Sequence, residues 1–479
     1  MDRREFLQLG AMAGAAGLLA SCSNGSSKAR RLPGRTTTTT PRLESVLDGA
    51  AADSGIDTVV VCMMENRSFD SYLGWLARDE RYLERGRSRY GSNFAINGNS
   101  LQQFTGADGK PVKTFRRALR DEPQRWRGCG HPDPGHSWEK GRAERDGGFL
   151  AARSENDEFA LSYFEGEDLP VYDLLARRFT VCDRWHASLL GPTYPNREYL
   201  LSAQSGGYKS NYLPIAEGGF KWPTIVDRLA AANIGVAEYA SDLPPFLLWG
   251  ERMNPHIRKM ESFATDAAAG KLPSVTFVTP AFLGDNRTDD HPHGDPRAAQ
   301  AFVRDAFAAF AGSPQWNRGL FVLTYDEWGG FFDHVAPPLL ADGRASKNDD
   351  DNFAQAGFRV PTVLASPYAQ PGYVDSTQYD HTSILRFIEW RFLGAPARGP
   401  GAATDKWFLT ARDRRANNLG ESLVRGKRDA DIGFDVDVKI DPPAPPCSDV
   451  TPAAYLELPP TPFEVALHRG YYERVGFAV

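Results

Sequence analysis

Two adjacent acidic residues, Asp326 and Glu327, are the first candidates for chemistry in this sequence. They follow the apolar run 320–324, which predicts a buried strand, and they precede the glycine pair Gly329 and Gly330. The carboxyl end of a strand in an α/β sheet is where ligands bind. Two neighbouring carboxylates there repel each other and lose hydration, and a divalent cation relieves both effects. The alternative is that the pair only caps a turn.

Three further polar clusters stand directly after a predicted strand or at the start of a predicted helix: Glu65 with Asn66, Thr193, and Asp290 with His291. We expect them to meet, because the carboxyl ends of parallel strands share one edge of a sheet. Oxygen donors suit a divalent cation, with Ca²⁺, Zn²⁺, Mg²⁺ and Mn²⁺ as candidates. The sequence offers four such donors: Glu65, Asn66, Asp326 and Glu327. A threonine hydroxyl on that cation becomes acidic enough to act as a nucleophile.

Strands that alternate with helices position these clusters. Strands are predicted at 56–64, 179–183, 236–239, 274–279, 320–324 and 360–366, and helices at 224–232, 297–310 and 384–392. A further helix is predicted after Ser68, whose side chain can cap it. This alternation predicts an α/β fold with a mostly parallel central sheet and helices on both sides.

Length and composition indicate the domain organisation and exclude one class of partner. The chain has 479 residues, a length that favours one large α/β domain with insertions or a core with a smaller lobe. Its 41% hydrophobic and 24% charged residues are typical of a soluble globular protein. Its 55 basic and 61 acidic residues give a net charge of −6. Because there is no basic surplus, we expect no nucleic-acid partner.

The N-terminus has the pattern of an export signal. Arg3 and Arg4 form a twin-arginine pair, a weakly apolar stretch follows, and Cys22 ends a lipoprotein-like cleavage box. We expect residues 1–22 to be a signal for the twin-arginine export machinery. The mature protein is then either lipid-anchored at a membrane face through Cys22 or released as a secreted or periplasmic protein.

The remaining domain boundaries follow from composition. Residues 23–44 are predicted to be a flexible linker, and residues 45–411 the main domain with a polar insertion at 78–126. Residues 412–479 are predicted to be a C-terminal extension that packs on the core. The other cysteines are Cys62, Cys129, Cys182 and Cys447, and none has the C-x-x-C spacing of a thiolate zinc site. Cys62 and Cys182 fall in strand-like runs, so we expect them to be buried thiols. A disulfide is permitted in an oxidising compartment.

Several motifs appear in an order that resembles the bacterial phospholipase C and acid phosphatase family, part of the alkaline-phosphatase-like superfamily, which also includes plant non-specific phospholipases C. They are E-N-R-S-F-D at 65–70, G-H-S-W at 135–138, G-P-T at 191–193, P-N-R at 195–197, D-H-P at 290–292, D-E at 326–327, G-G at 329–330, D-H-V at 333–335 and D-H-T-S at 380–383. The resemblance spans 56–393. Trp328 departs from the His or Asn of many members. Thr193 replaces the Ser of the acid phosphatase branch and matches the lipase branch.

The resemblance implies an alkaline-phosphatase-like three-layer α/β/α sandwich. It also implies a metal held by Glu65, Asn66, Asp326 and Glu327, with Thr193 as nucleophile on it. A phosphate pocket would be lined by His136, Asp290 and His291. In the implied reaction the Thr193 alkoxide attacks phosphorus to form a phosphothreonine, His291 or His136 protonates the departing oxygen, and water completes hydrolysis.

Four other residues admit two interpretations. His334 and His381 belong either to the site or to structural hydrogen bonds, and His381 could simply cap its helix. Asp333 either orients His334 or fixes a loop. His293 could form an H-x-H metal pair with His291, but we expect it to be exposed to solvent.

The leading hypothesis is an exported phospholipase C whose substrate is a phospholipid. One alternative is an acid phosphatase acting on small phosphate esters, and another is a lipoprotein that binds phosphorylated ligands without turnover. The apolar segment 244–249 either dips into a bilayer or packs as core. Sulfatase activity is disfavoured, because the C-x-P-x-R pattern of sulfatases is absent.

Overall fold

The computed structural model describes residues 43–106, 108–118, 126–214, 217–284, 287–401, 406–426, 436 and 438–447. The predicted export signal at 1–22 and the predicted linker up to residue 42 lie outside these residues, as do residues 427–435, 437 and 448–479 of the predicted C-terminal extension. Across the described ranges, no helix combines the length and the apolar character needed to span a membrane.

The strands, in chain order, are β1 (Thr58–Met64), β2 (Gln103–Thr105), β3 (Pro111–Lys113), β4 (Phe115–Arg116), β5 (Ser162–Tyr163), β6 (Thr180–Cys182), β7 (Trp185–His186), β8 (Val236–Ala240), β9 (Ile257–Lys259), β10 (Val275–Thr279), β11 (Gly319–Tyr325), β12 (Val363–Ala365), β13 (Tyr373–Asp375) and β14 (Tyr379–Asp380). Eight of them form one sheet in the order β13-β6-β12-β11-β1-β10-β8-β9. Among these described strands, only β12 runs against its neighbours. The predicted α/β fold with a mostly parallel central sheet is confirmed.

The α-helices of the described residues are α1 (Phe69–Tyr72), α2 (Glu80–Tyr90), α3 (Trp138–Gly147), α4 (Pro170–Arg178), α5 (Thr193–Ser202), α6 (Ile225–Ala231), α7 (Phe263–Ala268), α8 (Pro296–Ala311), α9 (Thr382–Ile388) and α10 (Ala411–Arg415). Their ends follow local chemistry. Ser68 caps α1 by accepting from Ser71 N, and Thr224 caps α6 with Asp227 in a capping box.

The two central strands, β1 and β11, are buried along their whole length. Complete burial requires cover on both faces of the sheet, which explains their continuous apolar sequence. The two strands are parallel and adjacent, with Met64 opposite Tyr325. The residues that follow them, Glu65 and Asp326, therefore leave the same edge of the sheet side by side.

The apolar segment 244–249 is part of the core. It contains the 3₁₀ turn Pro245–Trp249, in which Phe246 and Trp249 are each 1% exposed. The interpretation that this segment dips into a bilayer is therefore wrong, and the packed-core alternative is correct. The predicted polar insertion also contributes to the core, because α2 buries Tyr82 and Leu83 on one face.

A disulfide joins Cys129 to Cys447, with 5.4 Å between their Cα atoms. Cys62 and Cys182 are buried free thiols, as predicted. The bridge fastens the described tail segment to the domain. There, Ala444 N donates to Asp295 Oδ2 at 2.6 Å and Ala444 O accepts from Arg127 Nη1 at 2.8 Å.

Replacing Cys129 and Cys447 by serine should lower the free energy of unfolding by about 2–5 kcal/mol, because the bridge restricts the unfolded chain across a separation of 318 residues. Urea unfolding followed by far-UV circular dichroism measures the change. Dithiothreitol present throughout should destabilise the wild type similarly and leave the double variant unaffected. Coincident unfolding curves for wild type and double variant under oxidising conditions would contradict the prediction.

Candidate active site

The site lies where β1, β10 and β11 end, and its centre is Thr193, the first residue of α5. Thr193 is 4% exposed, and its Oγ1 donates a hydrogen bond to Glu65 Oε1 at 2.9 Å. The loop before α5 is held by Asn196, whose Nδ2 donates to the carbonyl oxygens of Gly191 and Pro192 at 2.8 and 3.1 Å. The local fold thus fixes the threonine hydroxyl against a carboxylate.

Asp326 is tied to the residues around it through both oxygens. Its Oδ1 accepts from Asn66 N at 3.1 Å and Glu327 N at 2.7 Å, and its Oδ2 accepts from Arg197 Nε at 3.1 Å. Arg197 stands one helical turn after Thr193, and its Nη2 lies 3.9 Å from Glu65 Oε2. Arg197 belongs to the P-N-R motif, but its partners Asp326 and Glu65 lie far away in the chain and no role was predicted for it.

Asn66 connects the carboxylates to His136. The Nδ2 of Asn66 lies 3.1 Å from His136 Nε2, and His136 Nδ1 donates to Pro134 O at 2.7 Å. His136 Nε2 is 4.0 Å from Glu327 Oε1, and Glu327 Oε2 accepts from Gly329 N at 2.7 Å. The structure therefore brings together the four predicted metal ligands, Thr193 and His136 in one chain of contacts.

Gly329 allows the close approach of the two loops. Its φ is +64°, and a Cβ built on it would lie 2.2 Å from Asn66 O. Any other residue would push the Asn66 backbone away from Asp326. Trp328 beside it is fully buried and donates to Glu144 Oε2 at 2.7 Å, so this departure from the family pattern is accommodated in the core.

The donor set fits a divalent cation. Glu65 Oε2 and Asn66 Oδ1 are buried atoms that, within the described part of the chain, have no hydrogen-bond partner. Burial, together with the charges of Asp326 and Asp289, raises the pKa of Glu65 well above its usual range, and burial also raises that of Asp326. Clustered buried carboxylates with unused oxygen lone pairs are what a hard cation stabilises.

Asp290 uses both of its carboxylate oxygens in hydrogen bonds. Tyr72 Oη donates to Oδ1 at 2.8 Å and Tyr325 Oη donates to Oδ2 at 2.7 Å, while Arg67 Nη2 lies 3.6 Å from Oδ1. The backbone φ of Asp290 is +81°. These contacts anchor the loop that carries His291, so we interpret Asp290 as a positioning residue for that imidazole.

His291 lies beside His136 and next to Asp133. The two ring centroids are 5.8 Å apart, and His291 Nε2 is 3.5 Å from Asp133 Oδ2. Burial, and after it the charge of Arg287, lowers the pKa of His291 well below its usual value. A neutral imidazole has no proton on the ring nitrogen that faces the pocket, which weakens its predicted role as an acid.

His334 belongs to a second polar cluster. Its Nδ1 is 2.5 Å from Asp70 Oδ2, and its Nε2 is 2.9 Å from Asn97 Oδ1. The fully buried Arg359 donates from Nε to Asp333 Oδ1 at 2.9 Å and from Nη2 to Asp70 Oδ1 at 3.2 Å. These contacts support the interpretation that His334 makes structural hydrogen bonds. They also show that Asp333 binds Arg359.

His381 and His293 differ from their predicted environments. His381 makes no side-chain cap to α9, so the cap interpretation is wrong; its Nε2 donates to Asp326 O at 2.6 Å, and burial lowers its pKa to about 4. His293 is 6% exposed, so the expectation of solvent exposure is also wrong. A turn with φ of +69° directs it inward, where its Nε2 lies 3.0 Å from His131 O.

Comparison with known proteins gives one family match and several relatives. The Phosphoesterase family model matches residues 56–393. The chain is 34% identical over 378 residues to non-specific phospholipase C6 of Arabidopsis thaliana, covering 71% of this chain and 68% of that protein. It is 29% identical over 394 residues to phospholipase C B of Mycobacterium tuberculosis, covering 71% and 74%. A solved alkaline-phosphatase-superfamily structure from Vibrio parahaemolyticus aligns with 65% of this chain and 74% of its own at 10% identity, with a TM-score of 0.31.

Proposed function

Since the chain belongs to the phosphoesterase family and is a phosphoric ester hydrolase, we propose that it is a metal-dependent phospholipase C acting on the head-group phosphodiester of phospholipids. The observation that carries the mechanism is the 2.9 Å hydrogen bond from Thr193 Oγ1 to Glu65 Oε1. The phospholipid substrate is supported by relatives that are named phospholipases C.

Glu65, Asn66, Asp326 and Glu327 hold the divalent cation in this proposal. When bound, the cation supplies positive charge that lowers the pKa of the threonine hydroxyl and offsets the charge of the phosphate oxygens. Arg197 adds a fixed positive charge between Asp326 and Glu65. The charges of the cation and of Arg197 both oppose the rise in pKa that burial causes in Glu65 and Asp326.

In the first step, Thr193 Oγ1 attacks phosphorus while its proton passes to Glu65 Oε1. The bond between phosphorus and the diacylglycerol oxygen breaks, and the head-group phosphate stays on Thr193 as a phosphothreonine. In the second step, water attacks phosphorus from the vacated side, gives one proton to the imidazole that protonated the diacylglycerol oxygen and keeps the other on the released phosphate, while Thr193 Oγ1 departs with the proton that Glu65 received. Two in-line displacements leave the configuration at phosphorus unchanged.

The departing oxygen needs a proton or a nearby positive charge. His136 and His291 are the predicted donors, and both donate their Nδ1 hydrogen to a backbone carbonyl. Only Nε2 of either ring could therefore carry a transferable proton. The low pKa of His291 makes it the weaker candidate at neutral pH.

The same centre could serve a phosphomonoesterase, and a substrate panel separates the two enzymes. We expect kcat/KM for phosphatidylcholine in mixed micelles to exceed that for p-nitrophenyl phosphate by at least about tenfold, because a phospholipase pocket uses remote binding energy from the lipid. Phosphocholine release and p-nitrophenolate absorbance measure the two rates. The reverse ranking would select an acid phosphatase.

A non-catalytic phosphate-binding lipoprotein is the remaining alternative. A binding protein needs no hydroxyl held against a carboxylate, so the contact between Thr193 and Glu65 favours an enzyme. Tight binding of phosphocholine without turnover of any phosphate ester would favour the binding protein instead.

A further inference from the structure

Glu144, on α3, is a buried carboxyl group that has no task in the proposed reaction. It is 2% exposed, and each of its oxygens accepts a hydrogen bond from a different segment of the chain. Oε1 accepts from Asn156 Nδ2 at 2.7 Å, and Oε2 accepts from Trp328 Nε1 at 2.7 Å. Burial raises the pKa of Glu144 well above its usual range, and these two hydrogen bonds oppose the rise. Because burying a carboxyl group is costly, its two partners deserve a functional explanation.

The Asn156 side of Glu144 leads to the loop that carries His136. Asn156 Oδ1 accepts from Gly135 N at 2.6 Å, and its Nδ2 also donates to Phe149 O at 2.9 Å. The bond from His136 Nδ1 to Pro134 O joins two residues of the same loop, so it does not place that loop relative to the rest of the protein. The bond to Asn156 does, because Asn156 is tied to α3 through Glu144.

The Trp328 side of Glu144 leads to the loop that carries Asp326 and Glu327. The Trp328 indole lies directly against α3, where a Cβ built on Gly141 would be 2.7 Å from the ring. Two residues further on, Gly330 has a φ of +69°, and a Cβ built on it would lie 2.6 Å from the backbone of Pro134. The two loops are therefore in contact, and Glu144 is bonded to both of them through one side chain on each side.

We propose that Glu144 is a positioning residue, which holds the His136 loop and the loop of the proposed metal ligands in register with each other. This inference rests on the proposed function, in which His136 is the stronger candidate for protonating the departing oxygen. A positioned proton donor contributes about 10²–10⁴-fold to a rate, and a displacement of about 1 Å can cost 10²-fold. Glu144→Gln leaves one acceptor oxygen for two donors, so one of the two links must break.

The experiment compares two substrates that transfer the same phosphocholine group and differ in the leaving group. Phosphatidylcholine in mixed micelles releases the diacylglycerol oxygen, which is strongly basic and needs a proton. The other substrate, p-nitrophenyl phosphocholine, releases p-nitrophenolate, a weak base that departs without one. Because kcat/KM reports on the steps up to the phosphothreonine, the shared second step does not enter the comparison.

In the full-length protein, Glu144→Gln should lower kcat/KM for phosphatidylcholine by ~10²-fold and that for p-nitrophenyl phosphocholine by less than about threefold. A loss of metal or of pocket shape would lower both values alike. Glu155→Gln is the matched control, because Glu155 precedes Asn156 but has a side-chain exposure of 70% and pairs with Lys140 at 3.0 Å. It should leave both values unchanged.

Thermal melting shows whether each variant is folded. Should Glu144→Gln not fold, Trp328→Phe provides the same comparison, since it removes the donor to Oε2 and keeps an aromatic ring in the core. It should also lower kcat/KM more for phosphatidylcholine than for p-nitrophenyl phosphocholine. A folded variant in which the ratio of the two values equals that of the wild type would overturn the inference.

Failure of the inference is distinguishable from failure of the proposed function. Wild-type hydrolysis of both phosphocholine esters, with an unchanged ratio in the variants, removes only the role of Glu144. Wild-type hydrolysis of monoesters alone removes the phospholipase, and the contrast between glycerol phosphate and p-nitrophenyl phosphate then tests Glu144 in the same way.

Discussion

Replacing Thr193 by alanine is expected to reduce kcat for phosphatidylcholine and p-nitrophenyl phosphate by ~10⁴-fold or more, because the change removes the only protein atom proposed to bond to phosphorus. Stability should change little, since the variant loses one hydrogen bond to Glu65 Oε1, a contribution of about 1 kcal/mol. Steady-state kinetics on both substrates and a thermal melt measure the two effects.

Thr193→Ser is the matched control, because serine keeps the hydroxyl on the same turn of α5. It should retain turnover, and acid quenching of its reaction should trap a phosphoserine where the wild type gives a phosphothreonine. An alanine variant with more than about a tenth of wild-type turnover would remove Thr193 from the mechanism, because such a loss is too small for a missing nucleophile.

Replacing Asp326 by asparagine should reduce kcat/KM by ~10³-fold, equivalent to about 4 kcal/mol of transition-state stabilisation. The change removes one charge from the metal ligands. It also turns an amide NH₂ towards Arg197 Nε, which in the wild type donates a hydrogen bond to Asp326 Oδ2 at 3.1 Å. The amide oxygen can still accept from Asn66 N and Glu327 N, so the loops should stay in place. Loss of one metal equivalent should accompany the loss of activity.

Asp333→Asn is the matched control, because it also removes the charge of a buried aspartate that is paired with an arginine. Asp333 is 3% exposed and accepts from Arg359 as Asp326 accepts from Arg197. We expect this variant to lose stability, by about 3–5 kcal/mol for a broken buried pair, while the folded fraction keeps its metal and its turnover. Equal loss of turnover per folded molecule in both variants would contradict the special role of Asp326.

The parts of the site that could be predicted from sequence are those set by buried strands. Apolar runs without alternation indicate strands covered on both faces, and the polar residues that end them must emerge at the sheet edge. Glu65 and Asp326 follow β1 and β11, which are neighbours in the sheet, so their proximity follows from the pattern once the strands are paired. The antiparallel direction of β12 could not be predicted in this way, because an apolar run does not indicate whether its strand runs parallel or antiparallel to its neighbours.

The parts that could not be predicted depend on contacts between distant segments. Arg197 meets Asp326 only because α5 packs beside the end of β11, and nothing near residue 197 indicates a carboxylate partner. His334 stands close to Asp326 in sequence, yet its loop leads to Arg359 and Asp70. His293 is buried because of a left-handed turn, which a polar sequence such as H-P-H does not reveal.

The bridge between Cys129 and Cys447 also governs how the protein behaves after a protease nick. The segment around Arg344 and Lys347 is exposed and lies inside the loop that the bridge closes. A tryptic cut there should leave both fragments covalently joined. On a denaturing gel the fragments should migrate as one species without a reducing agent and as two species with it. Nicked and intact protein are therefore distinguished only after the disulfide is reduced.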